Sequence, residues 1–282
     1  MILDGKALAT KIKEELKVEV ENINNTYNKK PKLAVVLVGS DPASCVYVKN
    51  KKNACAFVGI ESVSVELPED TTQEDLENKL KELNADNTIN GILLQLPLPK
   101  HLNERQALNC ISADKDVDGL GQENMGRLLT GEDGLVACTP SGIMELFKEY
   151  KIDLKGKNAT IINRSILVGK PLFALLTAQN ATVTMCHSHT KNLVEHTKNA
   201  DIIITAVGKK NFLTADMIKD GAVVIDVGIN RLASGLKGDV AFERVKEMCS
   251  YITPVPGGVG PLTVACLMEN TLILDKIRRN IQ

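Results

Sequence analysis

From residue 5 to residue 27 the apolar positions recur every three or four residues, which predicts an amphipathic helix. KLAVVLVG (Lys32–Gly39) is then almost unbroken apolar sequence closed by glycine, the pattern of a strand buried on both faces. Asp41 stands as a helix N-cap, Pro42 fits the first helical position and Gly59 is a stop, so a second helix is expected between them. SVSVEL (Ser62–Leu67) predicts a second strand, Thr72–Leu83 a third helix, and GILLQLPLP (Gly91–Pro99) a third strand that ends in prolines. A loop rich in Asp and Gly follows, and Cys138–Tyr150 reads as a linking helix. Alternation then resumes with NATIINRS, a helix after Gly169-Lys170-Pro171, ATVTMCHS, a short helix, ADIIITAVG, another short helix, and GAVVIDVGIN. TPVPGGVGPL closes this stretch. A last helix from about Thr263 to Ile281 carries Val264, Leu267, Met268 and Leu274 at helical spacing, suited to packing back on the first half.

Strands alternating with helices imply mostly parallel sheets with helices on both sides. The expected fold is α/β with two domains. Residues 1–137, completed by the C-terminal helix 263–282, form an N-terminal α/β substrate domain, and residues 138–262 form a Rossmann-like, doubly wound nucleotide-binding domain. A net charge of −1 gives no global field for nucleic acid, and 3% aromatic residues offer no base-stacking platform. No apolar run approaches membrane-spanning length, and MILDGKALATKIKEEL enters a charged helix at once, unlike a signal or transit peptide. The seven cysteines are scattered, with no CxxC, which fits reduced thiols in the cytoplasm and no zinc site.

The candidate chemistry begins on the second helix. Tyr47 and Lys51 are four residues apart and share a face with Ala54, Cys55 and Val58, while Lys49, Asn50, Lys52 and Asn53 fall on other faces. A lysine against an apolar wall beside a phenol can exchange protons. The plain alternative is a solvated lysine face with buried stems. Gln95 is the one polar residue of ILLQL, near the end of a parallel strand where ligands of open sheets gather, or else a side chain bonded to a neighbouring loop. Asp114–Gly119 opens like an EF-hand loop, but its twelfth position is Met125, so no calcium or other metal is expected. Either the segment is a solvated turn or one carboxylate faces a heterocycle with paired N–H donors. The dense glycines and prolines of Pro254–Pro261 suit a hinge, a close approach of backbone to a ligand, or both.

Asn163-Arg164-Ser165 follows a strand and opens a helix, a context suited to a dinucleotide phosphate although GxGxxG is absent. The next strand ends Cys186-His187-Ser188-His189-Thr190-Lys191, with no acid for a ribose 2′-OH. Arg164 is available for a 2′-phosphate, so NADP is inferred over NAD.

VGSDPASCVYVKNKKNAC, GILLQLPLP, DKDVDGL with NMGRL, CTPSGI, NRSILVGKP, VTMCHSHT, ADIIITAVG, VIDVGIN and ITPVPGGVGPLT occur in one order over essentially the whole chain. That set resembles the bifunctional methylenetetrahydrofolate dehydrogenase/cyclohydrolase family, commonly called FolD. The resemblance implies NADP-dependent oxidation of 5,10-methylenetetrahydrofolate, hydrolysis of the methenyl product to 10-formyltetrahydrofolate, and a homodimer. It implies that Tyr47 and Lys51 are the catalytic Tyr-x-x-x-Lys, that Gln95 supports the lysine and that Asp118 holds the pterin. Arg164, Ser165 and Ser188 match NADP phosphate positions, Ile229 a cofactor backbone contact, and Gly257, Gly258 and Pro261 the loop lining the folate and nicotinamide. Asn163 stands where the family usually has glycine, and its side chain either crowds the pyrophosphate or serves a left-handed backbone. Leu262 replaces the common methionine. Short-chain dehydrogenases also use Tyr-x-x-x-Lys, but their nucleotide turn precedes the pair, the reverse of the order here.

Overall fold

The computed structural model of the chain describes residues 1–233 and 235–281. Its helices are α1 (Gly5–Tyr27), α2 (Pro42–Val58), α3 (Gln73–Ala85), α4 (Glu104–Asn109), α5 (Gln122–Thr130), α6 (Cys138–Glu149), α7 (Gly169–Ala178), α8 (Leu193–Lys198), α9 (Phe242–Val245) and α10 (Val259–Arg279). Its strands are β1 (Lys32–Val38), β2 (Glu61–Leu67), β3 (Gly91–Leu94), β4 (Asn158–Ile162), β5 (Thr182–Cys186), β6 (Ile202–Thr205), β7 (Val223–Asp226), β8 (Asn230–Leu232), β9 (Gly235–Lys237) and β10 (Tyr251–Ile252). Gln282, the last residue of the expected C-terminal helix, lies outside the described residues. Two compact units result: a first of Thr10–Cys138 with Val264–Gln282, and a second of Met1–Ala9 with Thr139–Thr263. The extreme N-terminus groups with the second unit, where the sequence pattern places it in the first domain. Ile2 bridges Ile252, and Leu3 N donates to Ile252 O at 2.8 Å.

In the first unit β2, β1 and β3 form a parallel sheet in that order. The central strand β1 is apolar and buried from its second residue onward, as a strand covered on both faces requires. Helix α2 starts where Asp41 Oδ2 accepts Ser44 N at 2.8 Å, and it stops at Gly59, whose φ of 95° lies in the left-handed region. Thr72 caps α3, which buries Leu76, Leu80 and Leu83 on one face, each worth about 1.5–3 kcal/mol. Strand β3 stops at Leu94, short of the expected Pro99, because Pro97 and Pro99 carry no N–H for the ladder. Gln95 therefore sits just past the strand, its N–H still bonded to Val36 O at 2.9 Å. Helices α4 and α5 are absent from the sequence expectation; six and nine residues of mostly polar sequence are too short to show a period.

Lys115 explains part of the Asp-Gly motif. It is 3% exposed, and its ammonium donates to Leu83 O, Asn84 O and Asp86 O at 3.0, 2.7 and 2.8 Å. These are carbonyls at the C-terminal end of α3, where a cation is favoured. Lys115 is scaffold.

In the second unit the main sheet has five parallel strands in the order β10-β7-β6-β4-β5, and β8 and β9 pair antiparallel as a separate hairpin. After β4 the chain adds β5 on one side and β6 on the other, the switch point of a doubly wound sheet. Ile162, Ile203, Leu213, Val224, Val245 and Ile252 belong to one buried core cluster there. The expected helix before β7 is a single 3₁₀ turn at Ala215–Met217, and the last helix begins at Val259, inside the Gly/Pro segment. Two buried carboxylates organise the loops beyond β6 and β7. Asp239 accepts N–H bonds from Val207, Gly208 and Lys209 at 2.6, 3.1 and 2.8 Å. Asp226 accepts from Gly228, Asp239 and Val240 at 3.0, 2.9 and 2.9 Å. Gly238 and Gly228 are glycine because a Cβ at either would collide with Asp226 or Asp239 respectively. Among the described residues no helix is long and apolar enough to cross a membrane.

Lys115→Met should strand three carbonyls at the end of α3 and lower the urea unfolding free energy by about 3 kcal/mol, against little change for the exposed Lys30→Met. An unfolding midpoint equal to that of the wild type would remove Lys115 from the scaffold.

Burial pushes the Asp226 carboxyl up to about 6 from an ordinary 3.8, with Asp239 acting in the same sense and the three N–H donors opposing. The proton thus favours the folded state: the contribution is complete below the unfolded value and is lost as pH rises through about 6. The stability gap between wild type and Asp226→Asn should be larger at pH 5 than at pH 7, by roughly 1 kcal/mol in urea titrations. A gap independent of pH would show that Asp226 does not titrate there.

Candidate active site

The first unit brings Lys51 and Gln95 together. Lys51 Nζ donates to Gln95 Oε1 at 3.1 Å, while Gln95 Nε2 donates to Leu96 O at 2.5 Å. The second bond fixes the amide with its oxygen toward the lysine. Gln95 is buried; Lys51 and Tyr47 are half-buried on one face of α2, with Ala54, Cys55 and Val58 buried beside them. Burial pushes the Cys55 thiol up to about 12, against the pull of the nearby Lys51 ammonium. Lys49 is exposed as expected. Lys52 is not on open solvent: it is half-buried and pairs with Glu66 of β2 at 3.5 Å. Two turns separate Ser44 from Lys51, and the Ser44 hydroxyl is buried without a hydrogen-bond partner. Nothing in the linear pattern marks it, because Asp41 already takes its N–H as a cap.

Asp118 is half-buried and stands on a backbone held from below. Asn270 of α10 donates from Nδ2 to Val117 O at 2.8 Å and to Val136 O at 3.1 Å, and lies 3.7 Å from Cys138 Sγ. Gly119 follows with φ 62°, packed so closely on residues 135–137 that a Cβ would press on their backbone. The Cys138 thiol is raised well above its ordinary value, first by burial, then by the Asp118 charge and the neighbouring Cys266, with a hydrogen bond to Asp118 adding to it. Lys51 acts on the same thiol in the opposite sense, so Lys51, Asp118 and Cys138 share one electrostatic neighbourhood. Cys266 and Asn270 carry no sequence signal, being about 150 residues from Asp118 in sequence that reads as ordinary helix, and Cys138, though it opens the CTPSGI motif, gives no sign of facing Asp118.

The second unit holds the nucleotide-type residues. Ile162 of β4 pairs with Cys186 of β5, so the loops that begin at Asn163 and His187 leave adjacent strand ends. Arg164 and Ser188 are both exposed there, and Ser165 is half-buried. Asn163 is not at positive φ; its amide spans the turn, with Oδ1 accepting from Ser165 N and Gly169 N at 2.8 and 3.1 Å. Ile229, three residues past β7, is 42% exposed. Gly257 has φ 104° and its carbonyl accepts Lys6 N at 2.8 Å. Gly258 is buried against Pro254, with no room for a Cβ, and Pro261 lies in the first turn of α10. By contacts these three residues belong to the second unit, while Tyr47, Lys51, Gln95 and Asp118 belong to the first.

Comparison with known proteins bears on what this arrangement does. The family described as tetrahydrofolate dehydrogenase/cyclohydrolase, catalytic domain, matches residues 3–118, and the NAD(P)-binding domain of the same family matches residues 137–279. The bifunctional protein FolD of Nautilia profundicola is 55% identical over 272 residues, covering 96% of this chain and 95% of the relative. The crystal structure of the bifunctional enzyme FolD from Campylobacter jejuni superposes with a TM-score of 0.97 at 49% identity, over 99% of both chains. FolD from Trypanosoma brucei, solved with NADP cofactor and an inhibitor, superposes with a TM-score of 0.95 at 37% identity, over 99% of this chain and 98% of that one. With both family domains matched in sequence and full-length relatives at this identity, the chain belongs to the tetrahydrofolate dehydrogenase/cyclohydrolase family and is a bifunctional dehydrogenase/cyclohydrolase of the FolD type.

Proposed function

We propose that the chain oxidises 5,10-methylenetetrahydrofolate with NADP and hydrolyses the methenyl product to 10-formyltetrahydrofolate, using Lys51 as the proton-transfer group. The observation that carries this is the 3.1 Å bond from Lys51 Nζ to Gln95 Oε1. A neutral amide orients the amine without locking it as an ion pair, unlike Lys52, which faces Glu66. Hydration of the methenyl cation needs a proton taken from water and one returned to the departing ring nitrogen. Lys51 Nζ is placed for that exchange, Tyr47 on the same helix face positions the folate, and Gln95 orients Lys51. Asp118, its backbone held by Asn270, offers a carboxylate to paired N–H donors of the pterin. Gly257, Gly258 and Pro261 present backbone to the folate and the nicotinamide.

The second unit fits NADP. Residues 186–191 hold no carboxylate to claim a ribose hydroxyl, and the neighbouring strand end supplies Arg164. NADP, when bound, supplies the acceptor for a hydride from the one-carbon unit. Arg164, Ser188 and the Ser165 hydroxyl, turned from Asn163 Oδ1, hold its phosphates, and Ile229 contributes backbone. We read the protein as a homodimer of the cytosol: Val46, Phe57 and Val63 expose apolar surface on α2 and the edge strand β2, and all seven cysteines are free thiols. A monomeric mass in analytical ultracentrifugation would refute the dimer.

Absorbance assays with methylenetetrahydrofolate test the reading, following reduced cofactor and then decay of the methenyl chromophore. Arg164→Ala should weaken NADP by about ten- to hundred-fold, the worth of one charge-assisted hydrogen bond, with little change for NAD. An unchanged preference would remove Arg164 from the 2′-phosphate. Lys51→Met should cost the cyclohydrolase about 10²–10⁴-fold while some dehydrogenase activity survives, so that methenyltetrahydrofolate accumulates. Lys49→Met and Lys52→Met should keep both activities, Lys52→Met losing at most about 1 kcal/mol of stability with its half-exposed ion pair. Equal loss of cyclohydrolase in Lys52→Met would sink the assignment to Lys51.

A further inference from the structure

Strands β4 and β6 are neighbours, and β5 lies on the far side of β4, so the ends of β4 and β6 flank the place where an open α/β sheet receives a dinucleotide. A single side chain ties the two ends together. Asn163, just past β4, donates from Nδ2 to Ala206 O, just past β6, at 2.6 Å. Its Oδ1 accepts three donors: Ser165 N and Ser165 Oγ, both at 2.8 Å, and Gly169 N at 3.1 Å. Helix α7 begins at Gly169, and its own cap residue, Val168, makes no side-chain bond. Asn163 is thus a cap supplied from six residues upstream. Gly169 must lack a side chain, since a Cβ there would collide with the Asn163 carbonyl.

Two consequences follow for a bound dinucleotide. First, the Ser165 and Gly169 N–H groups are already engaged by an internal oxygen. Without the Asn163 carboxamide they would be open to a diphosphate, which NAD and NADP share. Second, Arg164 is flanked by two anchored residues, so the backbone carrying its guanidinium is ordered before any ligand arrives. That guanidinium distinguishes the cofactors only through a 2′-phosphate.

We propose that Asn163 is a positioning residue for cofactor choice: it fixes the backbone that aims Arg164, so that NADP is favoured over NAD, while it withholds the turn's N–H groups from the diphosphate common to both and so lowers the affinity for each. This rests on the reading of Arg164 as the 2′-phosphate group. Cofactor binding to the folate-free enzyme can be measured by titration calorimetry for wild type, Asn163→Gly and Asn163→Ala. Amide hydrogen exchange at Ser165 and Gly169 in the cofactor-free proteins gives a second readout.

Both variants should bind NAD more tightly, and the ratio of NAD to NADP dissociation constants should fall by roughly five- to ten-fold, the worth of about one hydrogen bond. The Ser165 and Gly169 amides should exchange faster, and the Michaelis constant for the folate should not move. A ratio that stays at the wild-type value while both amides lose protection overturns the role of Asn163 and leaves that of Arg164 standing. A wild type with no preference for NADP overturns both. A fall in Asn163→Gly alone would assign the effect to glycine's backbone freedom and also overturn the proposal.

Discussion

Backbone polar groups at the ends of helices and strands and in the loops beyond them have no turn or ladder to join, and those removed from water each have to find a partner. Much of the working architecture answers that requirement. Lys115 takes three carbonyls at the end of α3, and Asn270 takes those of Val117 and Val136. Asp239 and Asp226 each take three N–H groups from the loops past β6 and β7. These residues need not touch a ligand to matter, because the functional groups ride on the backbone they hold. Asp118 follows Val117 directly, and Ile229 follows Gly228.

The same economy governs charge. Lys51 meets a neutral glutamine whose amide is itself fixed by Leu96 O, whereas Lys52, one residue on, meets a glutamate. An amide oxygen fixes the orientation of the amine without adding a charge of its own. Asp118, in turn, has a buried thiol and a clamped backbone behind it. Lys51 and Asp118 act on the Cys138 thiol in opposite senses.

Element existence was readable where a period or a cap was long enough to show. Strand β1 announced itself as an apolar run, α2 by Asp41, Pro42 and Gly59, and α10 by its helical spacing, although it begins four residues earlier than Thr263. Short polar helices such as α4 and α5 left no trace, and the prolines after Gln95 ended β3 sooner than the hydrophobic run suggested. Lys115 was invisible as scaffold because its surroundings, all charged or small, resemble a solvated turn. Of the two possibilities the sequence offered for Asn163, both local, the structure does not use a left-handed backbone; the amide instead bonds Ala206 O, 43 residues away.

By itself, then, the chain determined the α/β class, the run of alternating elements and the residue types that carry chemistry, because helical period, strand period, caps and motif spacing are all properties of near neighbours in sequence. The facing of Lys51 on Gln95, the support of Asp118 by Asn270 and Cys138, and the pairing of the Asn163 and His187 loops at adjacent strand ends were decided only by the tertiary structure. The membership of the first nine residues in the second unit was decided there too. Each of those is a contact between segments far apart in the chain, and which distant polar groups must satisfy one another is settled only once burial has excluded water from between them.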